Sequence, residues 1–367
     1  MLRSFLLLLF SLSAGFSFAS VPLFEGTEPV KFTLQFPIDA LKDQRGEDPE
    51  YLDGMAFLDG KPIELRVKAR GNFRRLRTSC GFPPYWINFK RKQVRDTVFD
   101  GVNKIKVVSH CREGWRSIEP QIMKEYLAYQ TYRLVTDKSF RVRLAEITYI
   151  DSESGKESLT AMAFFIEPVE VLEDRLKFNQ LNDRYILPSL YEQTDLALAE
   201  FFQFFAANSD FSFFASQDEC CHNGKVFASR KGSEGLIPVP YDFDLSGIVN
   251  APYATVAPNM PIKRVTQRFY RGTQKTQEVF DATIQHYLDR EEAIMNLWQN
   301  TDLLEGKQKQ AAIKFVAGFF DVLKNEELLS REIIQRTRNP MAIEITAAIN
   351  EIWIVAPIPE IRNFTLV

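Results

Sequence analysis

Two carboxylates, Asp242 and Asp244, flank Phe243 where an apolar run, Ile237 to Tyr241, ends within the stretch IPVPYDFDLSGIVNAPY. In an extended segment, residues two apart point the same way. Both carboxylates then face one cleft while Phe243 points into the core. Close carboxylates repel unless a cation lies between them, and an Asp-x-Asp pair at a strand end suits a divalent metal. The alternative is an acidic turn capped by Ser246 and Gly247. A second stretch points to anions: Arg70, Gly71 and Asn72 are followed by Arg74, Arg75 and Arg77. Gly71 and Asn72 tolerate positive φ, and such a turn presents backbone N–H groups and guanidinium to an anion. The same composition also makes a solvated basic loop.

The elements that position these residues follow from periodicity. Val30 to Phe36 alternates as a half-buried strand. Met55 to Leu58 meets Asp59-Gly60, a hairpin signal, and returns with Ile63, Leu65, Val67 and Ala69 on one face and Glu64, Arg66, Lys68 and Arg70 on the other. Tyr85 to Lys90 and Asn103 to Val108 are further strands, the latter with Lys104 and Lys106 on one face. Ile118 to Asp137 changes to helical spacing, with Pro120 in its first turn. Strands at Val142 to Ile150 and Leu159 to Ile166 follow. Glu167 to Asp183 is a polar connector. Ser189 to Ala207, rich in Leu, Ala and Phe, is a helix buried on most sides. After Asn208-Ser209-Asp210 and an irregular stretch come a short strand at Lys225 to Ala228 and the IPVPYDFD strand. Helices are expected near Gln274 to Gln299, Glu305 to Lys324 and Asn325 to Arg338, and a last helix or strand at Met341 to Val355.

At 367 residues the chain has room for two domains or one two-lobed domain. The formal net charge of −3 supplies no basic excess to neutralise a phosphate backbone, which argues against nucleic acid as the partner. Met1 to Ala19 reads as a secretory signal, with Arg3 before an apolar run and small residues at Ser17 and Ala19. The expectation is a secreted or periplasmic protein with no integral membrane span after cleavage. Cys80, Cys111, Cys220 and Cys221 then meet an oxidising compartment. They allow three pairings. Cys80–Cys111 is favoured because both flank strands of one sheet, while the adjacent Cys220 and Cys221 form a vicinal bridge or pair elsewhere.

The strings KIKVVSHC, EYLAYQTYRLVTDKSFRVRLAEITYID, NSDF, HN and IPVPYDFDLSGIVNAPY resemble the CotH kinase-like family of secreted and spore-coat proteins, themselves similar to atypical protein kinases. The resemblance covers roughly Val67 to Tyr253. It implies an α+β, two-lobed protein-kinase-like fold: a signal peptide at 1–19, a β-rich N-terminal lobe at 20–170 and a mainly helical C-terminal lobe at 171–367 carrying the metal-binding strand. It further implies transfer of the γ-phosphoryl group of ATP, with Mg2+ or Mn2+, to a hydroxyl on protein Ser or Thr. In that scheme Lys106 contacts phosphates and is held by Glu125, and Arg70 and Asn72 approach phosphate. Asp210 orients the acceptor hydroxyl, and Asp242, Asn223 and Asp244 hold metal. Two departures stand out: a long insertion separates Asp210 from Asn223, and Asp-Phe-Asp replaces the usual Asp-Phe-Gly. A nucleotidyl (AMP) transferase on the same scaffold and a non-catalytic kinase-like envelope or binding protein are the alternatives.

Overall fold

Alternating apolar and polar side chains build the first half of the molecule. The computed structural model describes residues 21–343 apart from 72, 113–117, 182–185, 215–222, 233 and 258–259. Strand β1 (Val30–Phe36) buries Val30, Phe32, Leu34 and Phe36. After the short α1 (Ile38–Asp43), β2 (Leu52–Leu58) and β3 (Lys61–Ala69) form an antiparallel hairpin. Its turn residues Asp59 and Gly60 have φ of 50° and 75°, the left-handed pair that a tight hairpin requires. Strands β4 (Tyr85–Phe89) and β5 (Lys104–Val108) continue the sheet. Helix α2 (Glu119–Val135) intervenes before β6 (Val142–Asp151) and β7 (Glu157–Ile166).

The seven strands close into a barrel in the order β1-β2-β3-β4-β5-β7-β6. Closure comes from β6 pairing in parallel with β1, Val30 opposite Ala145 through Phe36 opposite Asp151. The other pairs are antiparallel. A closed sheet has no edge to protect, and its inward positions pack a Phe- and Tyr-rich core. Two of the rings, Tyr85 and Tyr149, share a hydrogen bond of 3.0 Å between hydroxyls, so their buried polar tips satisfy each other.

The outer face of β6 and β7 rests on α2 and opens a second apolar core with the rest of the chain. That part contains α3 (Val169–Leu176), β8 (Phe178–Leu181), α4 (Gln193–Ala206), β9 (Gly224–Ser229) and β10 (Ile237–Pro240). Strands β8, β9 and β10 form an antiparallel three-stranded sheet, with β9 in the middle. Helices α5 (Gln277–Leu288), α6 (Glu291–Gln299), α7 (Gly306–Lys324) and α8 (Glu326–Glu332) complete it. Helix α4 is buried nearly throughout its length, as its Phe content requires.

The two-lobed protein-kinase-like fold, with a mainly helical second lobe, is corrected by this architecture. The protein is α+β, but its first part is a closed seven-stranded barrel, and its later part carries a sheet as well as helices. Periodicity located the strands but is blind to pairing between segments more than a hundred residues apart, such as β1 with β6, and that pairing closes the barrel. The connector at Glu167 to Asp183 also holds α3 and β8, and the single helix expected at Gln274 to Gln299 is two helices. No helix among the described residues is long and apolar enough to cross a membrane. The signal segment, Cys220, Cys221 and most of Met341 to Val355 lie outside the described residues.

Candidate active site between the barrel and the helices

The site is built where β10 ends. Its strand stops at Pro240, and Asp242 then takes φ of 60°. A non-glycine residue in the left-handed region is uncommon and needs support from its surroundings. Here the Asp242 backbone N–H donates to the Tyr129 hydroxyl at 2.9 Å. Phe243 is fully buried against Tyr129 and Phe202, with ring centroids at 4.7 and 5.3 Å. The expected alternation thus survives at Phe243, but the segment leaves extended geometry at Asp242. Downstream, the Ser246 N–H donates to the Phe243 carbonyl at 3.0 Å, and the N–H groups of Gly247 and Ile248 donate to the carbonyls of Ala207 and Ala206. A Cβ on Gly247 would lie 2.3 Å from the Val265 carbonyl oxygen, so only glycine lets the chain pass so close to its neighbours. These bonds fasten the Asp-Phe-Asp segment to the end of α4, from which Asp210 follows.

Asp244 is buried and accepts from Arg74 Nε at 2.6 Å. The other side of the same guanidinium donates to Glu125 of α2. Burial opposes the charge of Arg74, yet Asp244 and Glu125 together hold it firmly protonated. Burial and the neighbouring Asp244 and Asp242 push Glu125 upward, and Arg74 draws it back. The expected Lys106–Glu125 ion pair is therefore corrected: the partner of Glu125 is Arg74. The reason lies in the loop after β3. Cys80 and Cys111 are joined, with Cα atoms 4.8 Å apart. Arg45 donates to the carbonyls of Arg75, Cys80 and Gly81, and Arg112 to those of Thr78 and Ser79. Held this way, the loop carries Arg74 inward to α2 rather than outward to an anion.

Cations of a different kind gather one residue before Asp242. The Tyr241 hydroxyl accepts from Lys106 Nζ at 2.6 Å and from an Arg70 Nη at 3.1 Å. Lys225 Nζ lies 5.9 Å from the Tyr241 ring centroid. Trp86 sits beside them, its ring centroid 5.4 Å from Lys106 Nζ and 5.7 Å from the Arg70 guanidinium. Among the described residues none of Arg70, Lys106 and Lys225 has an ion-paired carboxylate. Burial, with Arg70 and Lys225 adding to it, pulls the Lys106 ammonium well below the usual lysine range. Burial also lowers Lys225.

Asp210 lies within the field of Asp244. Its carboxylate accepts from Asn223 Nδ2 at 2.9 Å, and its backbone N–H donates to Asn208 Oδ1 at 3.0 Å. Burial raises its proton affinity; the Asn223 bond opposes this and the charge of Asp244 adds to it. Asp242 is raised to about 6, first by burial and then by Asp244. Asp210 and Asp242 thus both sense Asp244, and a bound cation would relieve that repulsion. Among the described residues, however, no group of three or more His, Cys, Asp or Glu side chains is arranged to hold a metal ion. Arg74 already takes one oxygen of Asp244, and Asn223 gives its one side-chain nitrogen to Asp210, a bond in which its Oδ1 takes no part. What remains fits Mg2+, which is held by one or two carboxylates together with substrate phosphates rather than by an all-protein cage. Asp242 would hold it, with the free oxygen of Asp244.

The structure thus brings Arg70, Lys106, Glu125, Asp210, Asn223, Asp242 and Asp244 into one region; Asn72 lies outside the described residues. Sequence reasoning passed over Tyr241, Lys225 and the carboxylate-facing role of Arg74. Tyr241 stood in the apolar run beside Asp242, where its hydroxyl was the available signal; nothing local marks Lys225. No family model matches the chain, and no curated protein matches it.

Proposed function

We propose that the protein transfers the γ-phosphoryl group of ATP to a hydroxyl acceptor on a protein Ser or Thr, outside the cytoplasm. The observation that carries this reading is the cluster of Arg70, Lys106 and Lys225 around Tyr241, with no ion-paired carboxylate among the described residues, one residue from the under-neutralised Asp242. Half-buried cations without a carboxylate carry a desolvation cost that an arriving anion offsets. Adjacent positive and negative groups suit a phosphate chain and the cation that accompanies it. The ordered strings that resemble the CotH kinase-like family support the same reading, here on a barrel scaffold. The buried disulfide fits an oxidising compartment.

Phosphoryl transfer asks a protein for positioning and charge rather than covalent chemistry. Arg70, Lys106 and Lys225 hold the phosphates. Tyr241 aims Lys106 and Arg70 by accepting from both. Asp242 and Asp244 would hold Mg2+ or Mn2+, which supplies charge neutralisation of the phosphates when bound. Arg74 fixes Asp244 against Glu125, so the metal-side carboxylate keeps its orientation. Asp210, set by Asn223, orients the acceptor hydroxyl and takes its proton as the new oxygen–phosphorus bond forms and the bond to the leaving ADP oxygen breaks. Incubation with γ-labelled and with α-labelled ATP tests the reading. Label from the γ position alone, retained by wild type and lost in Asp210→Asn, is the expected result. Transfer from the α position would establish nucleotidyl transfer instead, and binding without transfer of either label would leave a nucleotide-binding protein.

A further inference from the structure

The outward face of β3, β4 and β5 carries more cations than the site uses. Arg66 and Lys68 project from β3, and Lys104 and Lys106 from β5, while the alternate positions Leu65, Val67, Ile87, Ile105 and Val107 fill the barrel. Register places these side chains side by side: Lys68, Trp86 and Lys106 are mutual neighbours across the three strands, as are Arg66, Asn88 and Lys104. One carboxylate on this face, Glu64, is already bound by Lys90. Asp53 stands opposite Arg66 on β2 without forming an ion pair among the described residues. The row runs from exposed Arg66, through half-buried Lys68, to Arg70 at the site. It is a cationic strip on a chain whose formal net charge is −3.

We infer that this strip is the docking surface for an extended acidic polypeptide, laid along β3 toward Tyr241. Strand side chains two residues apart repeat about every 6.8 Å, and an extended peptide presents its own alternate side chains at the same step. Arg66 and Lys68 thus match the two carboxylates of a Glu-x-Glu sequence one to one, and Arg70 is left to the site. The sheet is closed, so a partner strand cannot add to an edge, and side-chain charge is what recognises it. The aromatic groups argue against single-stranded nucleic acid, which needs open ring faces for its bases. Here Tyr51 is covered by Arg66 and Lys68, at 4.9 and 5.4 Å from its centroid, and Trp86 by Lys104 at 4.2 Å. The inference does not depend on phosphoryl transfer; together with it, the acidic segment becomes what brings the acceptor hydroxyl to the site.

The test is fluorescence anisotropy of a labelled peptide of alternating Glu and Ser, titrated with the full chain at low and at physiological salt. The wild type binds, and its affinity falls as salt rises. Arg66→Glu and Lys68→Glu each weaken binding about tenfold, Lys68→Gln weakens it less, and Lys307→Glu on the distant α7 leaves it unchanged. Melting curves confirm that the variants are folded, and unchanged ATP binding by Lys68→Glu separates this surface from the nucleotide site. Three results would overturn the proposal: no binding by the wild type, equal weakening by Lys307→Glu, or tighter binding of a labelled oligothymidylate than of the peptide.

Discussion

Two groups of charges in this protein are built differently. Around Glu200 the carboxylate and its lysine are matched. Its carboxylate accepts from the backbone N–H of Thr273 at 3.0 Å and from Lys275 Nζ at 2.8 Å, and neither side chain of the Glu200–Lys275 pair is exposed. Around Tyr241, Lys106 and Arg70 share one neutral hydroxyl, Lys225 stands nearby, and no carboxylate pairs with any of them among the described residues. The first group is complete within the protein. The second is completed by something that binds. Charge that the fold leaves uncompensated marks function more reliably than burial or charge alone.

The largest effect expected from this contrast is at the complete group. Glu200→Ala leaves the buried Lys275 ammonium without its carboxylate and costs about 3–5 kcal/mol, read from denaturant unfolding. Removing the Cys80–Cys111 bridge in a double Cys→Ser variant, with its sequence separation of 31, costs roughly 3–4 kcal/mol. Because that bridge helps hold the Arg74 loop, the variant also loses affinity for the metal–nucleotide complex. Lys106→Met does the opposite to stability: it removes a half-buried ammonium that has no ion-paired carboxylate among the described residues, so the protein unfolds at equal or higher denaturant while ATP binding is lost. A clear loss of stability in Lys106→Met would erase the distinction between the two groups.

The smallest effect is in pH. Burial and Asp244 raise Asp242 from 3.8 to about 6, so the folded protein holds this proton more tightly than the unfolded chain does. Its contribution to stability is complete below the unfolded value and is lost as pH rises through about 6. Asp242→Asn flattens that slope. A cation binding to the carboxylate displaces the same proton, so metal-dependent ATP affinity in the wild type climbs between pH 5 and 6, by at most about tenfold per unit. Titration calorimetry across that range reads both signs.

Much of the barrel was legible because its strands are half-buried. Alternation at Val30 to Phe36 and from Ile63 to Ala69, the Asp59-Gly60 turn and the change of period at α2 are local signals, and each matches the structure. Closure was not legible, since β6 meets β1 through a pairing that neither segment announces. The same divide runs through the site. Asp242 and Asp244 carry their chemistry in their spacing, and Phe243 points inward as alternation demands. The positive φ at Asp242 was invisible because it depends on Tyr129, a distant side chain that takes its N–H. The composition of the Arg-rich loop suits either an anion or solvent, and Arg70 does join the cation cluster. Arg74 turns instead to Glu125 and Asp244, because the loop is fixed by a disulfide and by Arg45 and Arg112, contacts far away in sequence.

The central claim is that the cations around Tyr241 and the carboxylate of Asp242 together receive a metal–nucleotide complex. Calorimetric titration of ATP, with and without Mg2+, into wild type, Lys106→Met and Asp242→Asn tests it most directly. The account predicts saturable binding by wild type that strengthens with Mg2+. It predicts loss of binding in Lys106→Met, and ATP binding by Asp242→Asn that no longer responds to the metal. Wild-type protein that is folded and binds no nucleotide with either Mg2+ or Mn2+ would contradict it.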